Sequence, residues 1–317
     1  MREYILLFNP RRRVYMVEKI REYLAELNIN VGLYVTDTDR LDPIGYHSEK
    51  FSVLPPIESE NFDKIFLEFV KQENIKYIFL WNNKDFYKFD SLKDELNSLN
   101  VKILIPPIEK INYCYDKIET YRFCVENNIN TPKTYKSLED FDKNPCEFPV
   151  MVKPINGAGN LNVCKADNRE ELNVLFKKVP HPFIQEYIDG EHYTIDTFYD
   201  KKTIVVVPRK RVKVRDAEVV EASIDMSDYL LEYGKKVTDA FGYFGPMNIQ
   251  VIVKNKKPYL IDMHSRFGGG TDLTIESGVP IHKWIVNYLL DLEKNYDYKI
   301  NDKLFMTRYL KSEFFEV

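Results

Sequence analysis

The sequence predicts an α/β protein: a parallel, doubly wound sheet in the first third of the chain, then an α+β part built on antiparallel sheets. Three observations predict it. Short apolar runs alternate with helix-period segments over residues 1–105, two prolines punctuate the chain at "IPPIEK" (105–110), and beyond them strands follow one another across tight polar turns.

The elements can be justified in order. Residues 4–8 are an apolar run of strand length, and Val14, Val17, Ile20, Leu24 and Leu27 follow at spacings of three and four, one face of a helix. A strand at 31–35, a helix near 62–70 (Phe62, Ile65, Phe66, Phe69), a strand at 77–80, a helix near 92–99 and a strand at 101–105 repeat the pattern. Pro106 and Pro107 stop both helix and ladder, so a domain boundary is expected at 110. After a helix near 115–127, hairpin signals dominate: 193–199 with 203–207 across "DKK", and 247–253 with 259–263 across "KNKK". Helices are expected at 229–241 and 281–292. The expected division is 1–110, then 111–317, the latter split into 111–190 and 191–317.

Composition narrows the function classes. A chain of 317 residues with 44% apolar content, 30% charged content and a net charge of -4 can bury a substantial core and offers no field to hold a polyanion, so nucleic acid is not an expected partner. Cys114, Cys124, Cys146 and Cys164 are 10, 22 and 18 residues apart, a spacing without a Cys-x-x-Cys pair, and read as reduced packing residues. The apolar run at 4–8 is too short for the core of a signal peptide, and no run approaches the roughly 18 residues of a membrane span. A cytoplasmic protein without membrane attachment is expected.

The stretch "IDMHSRFGGG" (261–270) carries the first chemical signal. Centring the preceding turn on Lys256 sets Gln250 opposite Asp262 and Asn248 opposite His264, and Asn248, Gln250, Ile252, Leu260, Asp262 and His264 then share one face. Opposed Cβ atoms lie roughly 5 Å apart and same-side neighbours roughly 7 Å. A carboxylate, an amide oxygen and an imidazole thus come within reach of one or two cations, and a slip of one residue would disperse them. Asp262 as a turn cap and His264 as a solvated strand residue is the alternative. The arginine and three glycines that follow favour a site: Arg266 offers a fork of donors to phosphate or carboxylate, and residues 268–270 let backbone approach a ligand.

Two further segments suit a nucleotide. In "MVKPINGAGN" a strand at 150–152 leads through Lys153 into a loop with Gly157 and Gly159 before another strand at 161–164; such a loop can cradle phosphate oxygens while the lysine neutralises them. It matches neither a P-loop nor a dinucleotide fingerprint. In "FIQEYIDGEHYTID" a strand at 183–186 leaves its sheet at a connector, freeing the backbone C=O and N–H groups that the edge of adenine can pair with.

In their order and spacing these segments resemble the ATP-grasp enzymes, specifically stand-alone relatives of the carbamoyl-phosphate synthase large chain, and the likeness covers nearly the whole chain. "NPRRRVYMVEKIREYL" resembles the first βα turn of a Rossmann-like preATP-grasp domain, and "YDKIETYRFCVENNINTPKTY" the helix that opens the ATP-grasp fold. "VPRKRVKVRDAEVV" stands between the adenine and metal segments, as in the family.

The resemblance implies that Lys117 and Lys153 contact the nucleotide phosphates under a lid at Gly157 and Gly159. Glu186 and Ile188 would meet adenine through their backbones, with Gln185 nearby, and His192 stands where the family often has a glutamate for the ribose hydroxyls. Arg209, Arg211 and Arg215 would border the triphosphate or the acceptor. Gln250, Asp262 and His264 fall where the family holds its metal, and Arg266 where it holds the carboxylate that forms an acyl phosphate. The implied activity is an ATP-dependent carboxylate–amine ligase using ATP and Mg²⁺, with Mn²⁺ as the alternative, a small carboxylate and an amine acceptor. Arg266 and Arg215 are its catalytic candidates, and a homodimer is left open.

This sequence departs from the family pattern at five further positions. Asp262 replaces a glutamate, His264 an asparagine and Ser265 a proline, while Asn160 and Asn162 replace serine and glycine in the lid. His264 offers nitrogen where Mg²⁺ prefers oxygen. Either the metal preference has moved toward Mn²⁺, or His264 has left the coordination shell, or the chain is a catalytically impaired nucleotide-binding protein acting as a sensor or complex subunit.

Overall fold

Apolar side chains on both faces make β1 (Glu3–Phe8) a central strand of a parallel sheet. It is followed by α1 (Val14–Leu27), β2 (Val31–Asp37), β3 (Lys50–Val53), α2 (Phe62–Gln72), β4 (Ile75–Leu80), α3 (Asn83–Ser91), α4 (Lys93–Ser98) and β5 (Lys102–Ile103). The five strands run in the order β3-β2-β1-β4-β5, and the parallel, doubly wound expectation holds. α1 buries Met16, Val17, Ile20 and Leu24 and ends at Asn28 in the left-handed conformation (φ 50°). Phe8 of β1 meets Phe62, Phe66 and Phe89 edge-on at 6.0, 5.8 and 4.8 Å between ring centroids. The helix expected at 92–99 is α4, and α3 before it and the half-exposed β3 carry too little apolar pattern to be read from sequence.

The computed structural model describes residues 2–157, 161–293 and 295–314. They fall into two units: Met1–Ile108 with Thr274–Asn301 and Tyr309–Val317, and Glu109–Leu273 with Asp302–Arg308.

The second unit begins where the prolines end β5 and lead straight into α5 (Ile108–Tyr115), as suits residues whose N–H a helix start does not need. Asp116 caps α6 (Lys117–Glu126) by accepting from Ile118 N (2.7 Å) and Glu119 N (3.2 Å), which puts Lys117 at the first helical position. β6 (Thr134–Tyr135), α7 (Leu138–Lys143), β7 (Val150–Pro154), β8 (Cys164–Ala166), α8 (Arg169–Lys178) and β9 (Pro182–Glu186) follow. They build an antiparallel sheet ordered β6-β9-β7-β8 around Val150, Val152, Leu172 and Ile184. The strand expected at 161–164 instead starts at Cys164, and Leu161, 72% exposed, lies in a turn outside the ladder.

A six-stranded sheet completes the unit: β10 (Glu191–Asp200), β11 (Thr203–Arg215), β12 (Glu218–Ile224), α9 (Asp228–Phe241), β13 (Gly245–Lys254), β14 (Lys257–His264), α10 (Thr271–Glu276), α11 (Ile281–Leu289) and β15 (Phe305–Thr307) supply the remaining elements of the chain, and the strands run β14-β13-β10-β11-β12-β15. Alternation divides its residues between two faces. Ile195, Val206, Met247, Ile249, Val251, Leu260 and Met263 pack with Leu230, Tyr233, Val237 and Phe241 of α9 and with Phe123 and Cys124 of α6. The opposite face carries Thr194, Asp196, Arg209, Arg211, Asn248, Gln250, Asp262 and His264.

The β13–β14 hairpin has the expected pairs, Gln250↔Asp262 and Asn248↔His264, for a reason the sequence did not show. Its turn has two residues, Asn255 (φ 51°) and Lys256 (φ 59°), both left-handed, so Lys254 pairs with Lys257 and Val251 with Leu260. A bulge at Ile261 then adds one residue and restores the expected register at the polar end. Leu260, expected on the polar face, therefore lies in the core.

Residues 274–301 and 309–317, expected with the second domain, fall in the first unit. α11 is apolar on one face, and burying Ile281, Trp284, Ile285 and Leu289 requires a partner, which α1 supplies. The Tyr23 hydroxyl donates to Asn287 Oδ1 (2.7 Å) and Lys283 pairs with Glu26 (2.6 Å). No helix among the described residues is long and apolar enough to cross a membrane. All four cysteines are free, and burial pushes the Cys114 and Cys124 thiols up to about 12.

Candidate active site

Asp262 is the centre of the polar face. Its Oδ2 lies 3.6 Å from His264 Nε2 and 3.7 Å from Lys117 Nζ, and its Oδ1 accepts from Met263 N at 3.0 Å. Burial pushes the carboxyl up, but the charges of His264, Lys117 and Arg266 and the Met263 N–H outweigh it and hold Asp262 below the usual carboxylate range. It stays ionised at neutral pH.

Lys153, from β7, joins this cluster from the other sheet. Its Nζ donates to Gln185 Oε1 (2.7 Å), and Gln185 Nε2 donates to Thr134 Oγ1 (3.2 Å). Burial lowers the ammonium to about 8; Asp262 opposes that shift and Lys117 adds to it. Two lysines facing one carboxylate leave an excess of positive charge, which favours an anion. Lys117 Nζ also lies 3.5 Å from the carbonyl of Gly157, linking it to the glycine loop; Gly159 lies outside the described residues.

At the end of β9, the Glu186 N–H donates to Lys133 O (2.8 Å) and the Glu186 carboxylate accepts from Lys133 N (3.0 Å). Two residues on, Ile188 is buried. His192, the second residue of β10, lies opposite Ile252, its imidazole pKa lowered by desolvation and by the nearby charges of Arg211 and Lys153.

The arginines separate into different roles. Arg209, 1% exposed, is locked against Asp196 by two bonds (2.9 and 3.1 Å), and Asp196 also accepts from the Asn248 amide (2.8 Å). Its remaining Nη1 is buried with no hydrogen-bond partner among the described residues, as is Arg211 Nε. Arg266 donates from Nη1 to Phe267 O (2.8 Å), and its Nε is buried without an acceptor among the described residues. Arg215, expected beside the triphosphate or the acceptor, lies at the exposed end of β11, where it pairs with Glu218.

The glycine run serves close approach. A Cβ at Gly268 would collide with the Asn248 amide and one at Gly270 with Arg209 Nη1. Sequence reasoning missed Asp196, Thr194, Glu218 and Arg308. The first two lie at period two from His192 and were open to the same register argument as Asp262. Arg308 directly follows β15, whose pairing with β12 has no local signal.

A divalent cation is a demanding test of this residue set. Among the described residues no three His, Cys, Asp or Glu groups converge. Gln250 opposite Asp262 offers one amide oxygen and one carboxylate, with the His264 imidazole beside them. Mg²⁺ is commonly held by one or two carboxylates together with substrate phosphates, so the set fits a cation that arrives with a nucleotide.

Comparison with known proteins agrees with this architecture. Residues 114–270 match the family model described as the ATP-grasp domain, and residues 5–104 that of the PylC-like N-terminal domain. The chain is 24% identical over 166 residues to a D-alanine–D-alanine ligase from Fusobacterium nucleatum, a match over 48% of this chain and 56% of that protein. It is 25% identical over 221 residues to the carbamoyl phosphate synthase large chain of Caldanaerobacter subterraneus, covering 63% of this chain and 21% of that one. The chain thus spans about half the length of the first relative and about a fifth of the second. Among solved structures, an L-amino acid ligase from Bacillus licheniformis shares the fold with a TM-score of 0.71 at 19% identity, over 90% of this chain and 74% of that one. The biotin carboxylase domain dimer of the Hydrogenobacter thermophilus 2-oxoglutarate carboxylase, solved with MgADP and bicarbonate, gives 0.78 at 14%, over 94% and 72%.

Proposed function

This chain belongs to the ATP-grasp superfamily, with a PylC-like domain at its N-terminus, and we propose that it is an ATP-dependent carboxylate–amine ligase. The observation that carries the reading is the convergence of Lys117, Lys153 and Asp262 on the polar face of the six-stranded sheet. A carboxylate oxygen attacks the γ-phosphorus of ATP and the bond to ADP breaks, giving an acyl phosphate; an amine then forms the C–N bond as inorganic phosphate leaves and one proton passes to solvent.

The chain's own residues supply positioning and charge. Lys117 and Lys153 bind phosphate oxygens, and an incoming phosphate restores full protonation of Lys153. The backbone N–H of Ile188 and the C=O of Glu186 take the adenine edge, with Gln185 holding Lys153 in place. Gln250 and Asp262, with His264 at their side, hold a divalent cation, Mg²⁺ or Mn²⁺, which when bound supplies charge neutralisation on the phosphate oxygens. Arg266 orients the attacking carboxylate, and the loop containing Gly157 and Gly159 excludes water from the acyl phosphate.

A second reading has its own observation. Asp262 already faces the Lys117 ammonium and the His264 imidazole, as in a protein that keeps the nucleotide clamp without the chemistry and serves as a sensor or subunit. ADP release with pooled amino acids and dipeptides, under Mg²⁺ and under Mn²⁺, separates the two. The ligase reading expects acceptor-dependent ADP under at least one ion; tight ATP binding with no such ADP under either would leave the second reading standing.

A further inference from the structure

Lys153 ends a run of hydrogen bonds that has a single direction. Its Nζ donates to Gln185 Oε1 (2.7 Å), Gln185 Nε2 donates to Thr134 Oγ1 (3.2 Å), and the Thr134 hydroxyl donates to Pro132 O (3.1 Å). Chemistry fixes both ends, since an ammonium can only donate and a carbonyl can only accept. Between them Gln185, buried at 5% exposure, has one orientation open to it. Turned over, its NH₂ would face the ammonium, and Thr134 would have to leave Pro132 to serve the amide oxygen.

The carbonyl end of the run is held on two sides. Leu260 N donates to Asn130 O (2.9 Å) and Thr131 Oγ1 to Leu260 O (2.9 Å), tying the segment before Pro132 to β14. After it, Glu186 N donates to Lys133 O (2.8 Å), and Thr134 pairs with Gln185 across β6 and β9. Gln185 pairs in turn with Met151 of β7, two residues before Lys153. The run therefore starts on β6, an edge strand of the four-stranded sheet, and ends on the strand that carries the lysine.

The dipoles of such a run polarise one another, and here each turns its negative end toward Lys153. The lysine's charge is contested: burial and Lys117 lower its proton affinity, Asp262 raises it, and His192 lies within reach of its field. Gln185 Oε1 is the one hydrogen-bond acceptor of Lys153 Nζ among the described residues.

We infer that Thr134 is a positioning residue whose hydroxyl, acting through Gln185, holds the Lys153 ammonium in place for a phosphate oxygen. That a nucleotide supplies the phosphate rests on the reading proposed above. Without the hydroxyl, Gln185 Nε2 becomes a buried donor with no acceptor, and the amide is free to turn away from the lysine. Valine has the branching of threonine and suits a strand, so Thr134→Val removes the bond and little else, whereas Thr134→Ser keeps it.

Calorimetric titration of the full chain with a non-hydrolysable ATP analogue and Mg²⁺ at neutral pH is the first test. Thr134→Val is expected to raise the Kd about tenfold, the low end for a hydrogen bond to a charged group, and Thr134→Ser less than about twofold. In a Lys153→Met background Thr134→Val should add less than about twofold, because the hydroxyl acts only through that lysine. A second measurement needs no nucleotide. With lysines labelled with ¹³C at Cε, the NMR resonance that Lys153→Arg removes follows this ammonium in the free chain. Its titration midpoint should fall by about half a pH unit or more in Thr134→Val and stay in place in Thr134→Ser. Should Thr134→Val fail to fold, Thr134→Ala takes its place in both measurements. A defect of equal size with and without Lys153, a loss that serine does not restore, or an unmoved Lys153 midpoint would each overturn the inference. If the natural chain binds no nucleotide, the ligase reading falls and the Lys153 midpoint alone decides the role of Thr134.

Discussion

The two faces of the six-stranded sheet are made by alternate residues of the same strands, yet they obey different rules. On one, Ile195, Ile249 and Met263 meet α9 and α6, and every contact adds to burial. On the other, Asp196 and Arg209 are as deeply buried, at 2% and 1% exposure, but only as a pair. Burying polar groups is costly unless they are bonded, so a face that gathers two lysines, three arginines and unmade donors is organised for something other than stability. A sheet can thus give fold and site separate residues along one strand.

Substitutions can break that comparison. The largest expected effect is at Asp262→Asn, which should lower metal-dependent ADP release roughly a thousandfold, about 4 kcal/mol of transition-state stabilisation. The partly exposed contacts to Lys117 and His264 limit the stability change to about 1 kcal/mol. Steady-state kinetics beside a thermal melt would check both, and unchanged activity would remove Asp262 from the site.

Asp196→Ala should blur the distinction between the faces. It strands the buried Arg209 guanidinium and should cost about 3–5 kcal/mol in urea unfolding; a loss under 1 kcal/mol would mean that the pair is not structural. Ile249→Ala, its neighbour on the apolar face, should cost about 3 kcal/mol while leaving turnover per folded molecule unchanged. Altered kinetics there would show that the two faces are coupled. The smallest effect is expected at His264→Asn, which should shift the ratio of Mg²⁺ to Mn²⁺ activity several-fold toward Mg²⁺. An unchanged ratio would put the imidazole outside the coordination sphere.

Periodicity made the parallel sheet legible, because β1, α1 and β4 carry long apolar patterns. It missed β3 and α3, which do not. Pairing logic found Gln250 and Asp262 but assumed a continuous ladder; the two-residue turn and the bulge at Ile261 offset each other at the polar end and not at Leu260. Arg209 was expected to border the triphosphate or the acceptor, and its pairing with Asp196 went unseen because that partner sits on the neighbouring strand, where local pattern says nothing. Arg308 was beyond reach, since its place depends on β15 finding β12 after a long irregular segment.

The central claim is transfer of phosphate to a carboxylate oxygen. Incubating the protein with ATP, Mg²⁺ or Mn²⁺ and pooled amino acids labelled with ¹⁸O in the carboxylate, then weighing the released phosphate by mass spectrometry, tests it directly. The account predicts one ¹⁸O in each phosphate formed with ADP, because the oxygen that attacks phosphorus leaves with it. Bound ATP with no phosphate released, or phosphate without label, would contradict it.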